Sequence, residues 1–218
     1  MLEIVLFIVV ALAPAIVLHE LAHGLSAYAL GDPTAKNQGR LTLNPIKHID
    51  PVGSILVPGI LFLVYYLGIT KTLMLFGWAK PVPVSFRSLH PRRLGMAVVA
   101  LAGPLTNIVL AFIFSRLYKA LPFIYSRMEL WLPVPQLTNA LAWAVVLNLT
   151  LAVFNMVPIP PLDGSRVVTS CLPTSLAYYY NRLERFGIII VILLLNVGMM
   201  GYLYPVIQQV AQWIGVQI

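Results

Sequence analysis

The chain has 218 residues, of which 60% are hydrophobic and only 10% are charged. Soluble proteins carry about 25% charged residues, so this composition excludes an ordinary soluble domain and indicates a polytopic membrane protein. The net charge of +7 comes from 14 lysines and arginines against 7 acidic residues. These basic residues lie in the connections between apolar runs, where they set membrane topology. We therefore expect the lipid bilayer, and no nucleic acid, as a partner.

Five apolar runs follow one another along the chain, at residues 2–30, 52–70, 94–118, 137–158 and 186–214. Each is near or above the roughly 20 residues that a spanning helix needs. The first run has no basic region before it and is interpreted as a retained helix rather than a cleaved signal. Pro58-Gly59 can break a helix in the second run, so residues 52–70 either span the membrane or form the re-entrant segment that we predict. The fold class predicted is all-α and polytopic, with about four to six transmembrane helices.

The connections contain two stretches with extended character. Apolar and polar side chains alternate within residues 31–50, which predicts a short hairpin or an extended loop. Residues 77–88 contain Pro81-Val82-Pro83-Val84 and predict a second extended piece. If residues 52–70 re-enter, three connections with 3, 5 and 3 basic residues share one face against 3 on the other. The positive-inside rule then places that face in the cytoplasm and the N-terminus outside.

The first apolar run carries the motif His19-Glu20-Leu21-Ala22-His23. In a helix, positions i and i+4 stack on one face, so both histidines can reach one metal ion. Glu20 lies about 100° round the helix axis, where it can act as a general acid and base. A chance match in an ordinary helix is the alternative. It is disfavoured because ionisable groups within a membrane segment are costly and usually functional.

A catalytic zinc site takes three protein ligands and leaves a fourth position open. The single cysteine, Cys171, cannot build a cysteine-rich site, so the ligands must be nitrogen and oxygen. We predict Asp163 as the third ligand, because it follows the proline-rich end of the fourth run at the membrane depth expected for His19. The alternative is that Asp163 caps the following helix. Asp32 and Asp50 are weaker candidates for the third ligand.

These residues resemble the site-2 protease family of intramembrane zinc metalloproteases. The resemblance rests on His19-Glu20-Leu21-Ala22-His23-Gly24 and on Asn155-x-x-Pro158-x-x-Pro161-Leu162-Asp163-Gly164, and most of the chain is similar. It implies one zinc per chain on His19, His23 and Asp163, with Glu20 as the catalytic base. It also implies that Asn155 holds the substrate backbone or the developing oxyanion. The stretch from Gly39 to Pro51 resembles the membrane-inserted β-like loop of the family.

Three further asparagines lie within apolar runs, at positions 107, 148 and 196. Hydrogen bonding between helices is the default interpretation of such residues. Asn107 follows Gly103-Pro104 in a motif that the family shares, so we consider it for ligand support or substrate contact. Asn148-Leu149-Thr150 matches a glycosylation sequon, but within a membrane helix we expect it to be inert.

The implied reaction is hydrolysis of peptide bonds in or near transmembrane segments of membrane proteins, that is, regulated intramembrane proteolysis in the cell membrane. The active site is expected toward the cytoplasmic side. No PDZ-like or CBS-like domain is present, so residues 1–218 are predicted to form a single transmembrane metalloprotease domain, with any regulator a separate membrane protein. The alternatives are a catalytically inactive zinc-binding membrane protein and a metal transporter, for which several ionisable sites at different depths would be typical.

Overall fold

The computed structural model describes residues 1–70, 77–128 and 134–214. Lys71, one of the five basic residues counted in the connection after the second apolar run, lies outside these ranges. The described residues are helical or irregular and contain no strand. These ranges contain seven main helices, in the order α1 Leu2–Ala29, α2 Pro51–Tyr66, α3 Arg92–Met128, α4 Val134–Asn155, α5 Asp163–Cys171, α6 Thr174–Asn196 and α7 Met199–Trp213. The all-α prediction is therefore confirmed.

Among the described residues, three helices are long and apolar enough to span a membrane, namely α1, α3 and α4. Only 22% to 39% of the residues in their most hydrophobic windows are buried within the protein. The many large apolar side chains that remain exposed need a lipid environment, because water would not tolerate so extensive an apolar surface. The chain is thus a polytopic membrane protein. The described residues contain three such spans, or four if α6 and α7 together make one; four is the lower limit of the predicted number, and three falls below it.

The second apolar run does not break at Pro58-Gly59, so the interruption predicted there is wrong, whereas the predicted re-entry stays a prediction. A helix runs from Pro51 to Tyr66 and opens with a π-helical stretch, Pro51–Leu56. A proline removes one backbone hydrogen bond and crowds the preceding turn, and the wider π-helical turn supplies room for its ring. The same arrangement occurs in α1, where the π-helical stretch Phe7–Leu12 precedes Pro14.

The fifth apolar run is not one straight span, contrary to the prediction. Helices α6 and α7 meet at an angle of 84° across a short break. Gly198 lies at this break with φ of +87°, in the left-handed region that glycine adopts without steric penalty and that commonly ends a helix. A continuous hydrophobic pattern does not report such a bend.

Irregular backbone connects α1 to α3 on either side of α2. Residues 39–44 and 77–85 are neither helix nor strand, and a 3₁₀ turn occupies Pro45–His48. The 3₁₀ turn contacts the second irregular segment through the Lys80 N–H, which donates to the His48 carbonyl at 2.9 Å. Pro81 and Pro83 have no N–H, so a strand ladder cannot continue there. This explains why the expected β-like loop pairs only locally.

The helices pack around two apolar clusters. The larger cluster lies between α3, α4 and α7 and contains Ala111, Val145, Leu149, Ile207 and Ala211. The smaller cluster joins the end of α1 to the start of α3. Helix α3 also contacts α5. As a result, α1, α3 and α5 are held side by side, and His19, Asn107 and Asp163 lie between them.

Candidate metal centre

Helix α1 brings His19 and His23 together as the sequence predicts. Both residues are buried, at 7% and 8% exposure, and their Nε2 atoms lie 3.0 Å apart. Their one-turn separation explains this geometry, since i and i+4 side chains project from the same helix face. The two imidazoles therefore present one nitrogen each to a single point.

Asp163 reaches the same point from the other side. Its Oδ2 atom lies 3.2 Å from His19 Nε2 and 3.3 Å from His23 Nε2. The prolines between α4 and α5 end the first helix, and α5 begins at Asp163 itself. The residue that precedes α5 is Leu162, and no side chain caps the helix start. Asp163 therefore does not take the capping position considered from the sequence, and its carboxylate faces the histidines.

The donor atoms of these three residues fit a zinc ion. Ligands about 2.0–2.1 Å from a tetrahedral zinc lie about 3.3–3.4 Å from one another, close to the observed separations of 3.0, 3.2 and 3.3 Å. Asp163 Oδ2 is buried and makes no hydrogen bond, an arrangement that a bound cation would satisfy. Within the described ranges, these residues form the one group of three or more metal-binding side chains.

The charge of Asp163 suits this site. Burial by itself raises the pKa of the Asp163 carboxyl, but the adjacent His19 and His23 rings outweigh burial and lower the pKa to about 2. Asp163 is therefore a carboxylate at neutral pH, which is the form that binds a metal ion.

Both imidazole rings are held from behind through Nδ1. His23 Nδ1 lies 2.6 Å from the Val99 carbonyl oxygen, and His19 Nδ1 lies 2.5 Å from Asn107 Oδ1. The Val99 carbonyl can only accept, so His23 Nδ1 carries the proton and Nε2 keeps its lone pair for a metal. Both partners belong to α3.

Gly103 allows α3 to pass close to the two rings. A Cβ atom at this position would lie 2.6 Å from His19 Cε1 and 2.7 Å from His19 Nε2, and would also overlap His23 Nε2. No residue larger than glycine fits without movement. The sequence contains the Gly103-Pro104 motif, but no sequence pattern indicates this packing role.

Glu20 is half-buried next to His19 on α1. Its Oε2 atom accepts a hydrogen bond of 2.7 Å from the Val82 N–H. The segment that supplies this N–H is itself held by Arg40, whose Nη2 donates to the Lys80 carbonyl at 2.8 Å. No sequence signal linked Val82 or Arg40 to Glu20, because loop contacts between distant residues leave no periodic pattern.

The other candidates fall in different places. Asn107 is fully buried and bonded within the protein, which favours ligand support over substrate contact. Asn155 is the last residue of α4, is half-buried, and donates from Nδ2 to the Leu151 carbonyl. Asp32 accepts backbone hydrogen bonds from Thr34 and Ser85, and Asp50 caps the start of α2. Both of these carboxylates serve local structure, which makes them poorer ligand candidates than Asp163.

An apolar helix that carries the HExxH pattern, together with a carboxylate from a second helix, is typical of a zinc metalloprotease built into a membrane bundle. Comparison with known proteins agrees with this class. Residues 124–197 match the model of Peptidase family M50. This matched region includes Asn155 and Asp163.

The chain is 37% identical to "Putative zinc metalloprotease YwhC" of Bacillus subtilis over 202 residues, which cover 92% of this chain and 85% of that protein. It is 28% identical over 179 residues to "Putative zinc metalloprotease Rip2" of Mycolicibacterium smegmatis, covering 82% of this chain and 62% of that protein. No solved structure matches the chain. The chain belongs to peptidase family M50, the site-2 protease family, and is a zinc metalloprotease. The resemblance predicted from the sequence is confirmed.

Proposed function

We propose that this metalloprotease is an intramembrane endopeptidase that cleaves membrane proteins in or near their transmembrane segments. One observation carries the proposal: His19 and His23 lie on α1, which has a mean hydropathy of 2.5 in its most apolar window and is long enough to span a bilayer. A protease whose metal ligands project from a spanning helix meets substrates that are themselves in the membrane. We assign residues 1–218 to a single domain that performs this reaction.

His19, His23 and Asp163 are the residues that would hold the metal. A zinc ion held there would supply Lewis acidity toward the scissile carbonyl and would lower the pKa of a bound water to about 7. Glu20 takes the proton from the attacking water and delivers it to the leaving amine. The Val82 N–H occupies Glu20 Oε2, and we assign Oε1 to this proton transfer.

A helical substrate must unwind before cleavage, because its carbonyls are engaged in backbone hydrogen bonds. Residues 39–44 are irregular and lie next to the segment that contacts Glu20. We propose that this stretch pairs with the unwound substrate through backbone hydrogen bonds, in the manner of strand addition. Asn155 is proposed to hold the substrate backbone or the developing oxyanion. Substitutions in residues 39–45 should then change the cleavage rate, and unchanged rates would contradict the pairing.

The test of the proposed function uses the purified full chain and a membrane-anchored substrate found by comparing membrane proteomes with and without the enzyme. Glu20→Gln should retain zinc and lose cleavage by roughly 10²–10⁴-fold, the contribution of general acid-base catalysis. The matched control is Gln136→Glu, a change of the same two residue types on α4, outside the ligand group. Full cleavage by Glu20→Gln would rule out the mechanism.

A metal transporter or an inactive zinc binder would also bind zinc, but the observations favour a protease. A transport path would need ionisable groups at several depths, and the described residues form one such cluster. An inactive descendant would be free to lose the base, whereas Glu20 is present beside both histidines. Cleavage by wild type that Glu20→Gln abolishes would exclude both alternatives.

We propose that the protein resides in the cell membrane with its active site toward the cytoplasm. Cys171 is exposed at the end of α5, the helix that begins at Asp163. A membrane-impermeant maleimide should label it in inverted vesicles but not in intact cells. The control is Cys171→Ser/Ser126→Cys, because exposed Ser126 lies near the C-terminal end of α3, which this topology assigns to the other face. The reverse labelling pattern would contradict this orientation.

A further inference from the structure

A chain of buried amides lies behind His19 and crosses three helices. Asn107 on α3 and Asn148 on α4 are both 0% exposed. Asn107 Oδ1 lies 2.5 Å from His19 Nδ1, and Asn107 Nδ2 lies 2.8 Å from Asn148 Oδ1. The hydrogen bonds therefore run without interruption from α4, through α3, to a residue of the metal group on α1.

The direction of each hydrogen bond follows from the partner at the far end. Asn148 Nδ2 donates to the Ala144 carbonyl at 2.8 Å, which turns Asn148 Oδ1 toward Asn107. Asn107 Nδ2 uses its two hydrogens on Asn148 Oδ1 and on the Ala15 carbonyl, at 2.8 and 3.0 Å. If either amide were turned round, its oxygen would face another hydrogen-bond acceptor. Turning Asn148 would also place its Nδ2 donor against the Nδ2 donor of Asn107.

This order fixes the tautomer of His19. With Asn107 Nδ2 committed to two carbonyl-type oxygens, only Oδ1 is left to face His19, and an amide oxygen can only accept. His19 Nδ1 therefore carries the hydrogen, and Nε2 keeps its lone pair on the side of His23 and Asp163. A partner that holds the far nitrogen of a ligating histidine sets the orientation and basicity of the ring.

We propose that Asn148, acting through Asn107, is a positioning residue that prepares His19 to bind zinc. The inference rests on the proposed metal centre and goes beyond it, because neither amide contacts the metal position. His23 has a backbone carbonyl in the corresponding role, at Val99. His19 instead depends on side chains, so a substitution on α4 can alter the zinc affinity of a residue on α1.

The first experiment measures the zinc dissociation constant of the purified full chain by competition with a coloured chelator. Asn107→Leu should weaken binding by roughly 10–100-fold, the usual effect of losing a partner of a metal ligand. Asn148→Leu should weaken binding about 10-fold. If the two act in series, Asn107→Leu/Asn148→Leu should bind no more weakly than Asn107→Leu alone, since residues in one network are not additive.

The chain offers a matched control in Asn196, which donates to the Ile192 carbonyl through the same i−4 bond but is exposed on α6. Asn196→Leu should leave zinc affinity unchanged. A milder variant guards against misfolding. Asn148→Thr can keep the bond to its own helix, as Thr138 does on α4, and its hydroxyl can still accept from Asn107. It should bind zinc more tightly than Asn148→Leu.

The second experiment reads the His19 tautomer directly by ¹⁵N NMR of histidine-labelled, metal-free protein, with the signal assigned from His19→Gln. Wild type should show hydrogen on Nδ1, and Asn148→Leu should show a mixture of tautomers. If wild type binds one zinc, two results would overturn the role of Asn148 alone. The first is that the losses of affinity are additive in the double variant. The second is that Asn148→Leu has the same His19 tautomer and the same zinc affinity as wild type. A folded wild type that binds no zinc would overturn the metal centre and this inference together.

Discussion

Substitution of Gly103 by alanine tests the packing of the metal centre most sharply. The added Cβ would lie 2.6 Å from His19 Cε1 and 2.7 Å from His19 Nε2, whereas ordinary contacts begin at 3.4 Å. The His19 ring would have to retreat by about 0.7–0.8 Å, several times the roughly 0.2 Å within which metal–ligand distances are defined. We therefore expect Gly103→Ala to weaken zinc binding at least about 10-fold.

The same substitution should leave the protein folded. Overpacking costs about 1–3 kcal/mol, and the higher helix propensity of alanine offsets up to about 1 kcal/mol of it. Zinc content by mass spectrometry and helicity by circular dichroism separate the two effects. Gly201→Ala is the matched control, because Gly201 also lies in a helix and has nothing within 4 Å of its Cβ position. Gly103→Ala with one zinc at wild-type affinity would refute this packing argument.

Two further predictions concern the metal and the segment beside Glu20. Chelation of zinc should lower the unfolding temperature while most helix persists, because a ligand that binds only the folded state stabilises that state. Differential scanning calorimetry, with zinc added back, measures this change. An unchanged unfolding temperature would contradict the prediction. Arg40→Ala should slow cleavage but retain zinc, since it releases the Lys80 carbonyl at 2.8 Å and loosens the Val82 contact with Glu20. Loss of zinc from Arg40→Ala would show that the irregular segment supports the ligands rather than the base.

The proximity of His19, His23 and Asp163 was predictable from the sequence because it depends on helix spacing and on the membrane depth at which the fourth apolar run ends. The i and i+4 spacing of His19 and His23 holds in any helix, and Asp163 follows a helix end that three prolines mark. The contacts behind the group were not predictable. Asn148 reaches His19 only through Asn107, and the Val82 N–H meets Glu20 only because two loops pack together.

The helix boundaries show the same division. Hydrophobic runs located α1, α3 and α4, since a spanning helix must be apolar along its length. They failed where the backbone itself decides the outcome. Helix α2 continues past Pro58 because a π-helical stretch precedes the proline. The fifth run bends by 84° at Gly198, whose backbone is in the left-handed conformation, although the hydrophobicity of the run is continuous.

X-ray absorption spectroscopy of zinc in the purified wild-type protein tests the central claim most directly. The metal centre described here predicts one zinc per chain with two imidazole nitrogens and oxygen ligands at about 2.0–2.2 Å. Asp163→Ala should keep the imidazole signals and lose oxygen coordination or occupancy. A sulfur ligand at about 2.3 Å, which only Cys171 or a methionine could supply, or a spectrum unchanged in His19→Ala, would contradict the assignment of His19, His23 and Asp163.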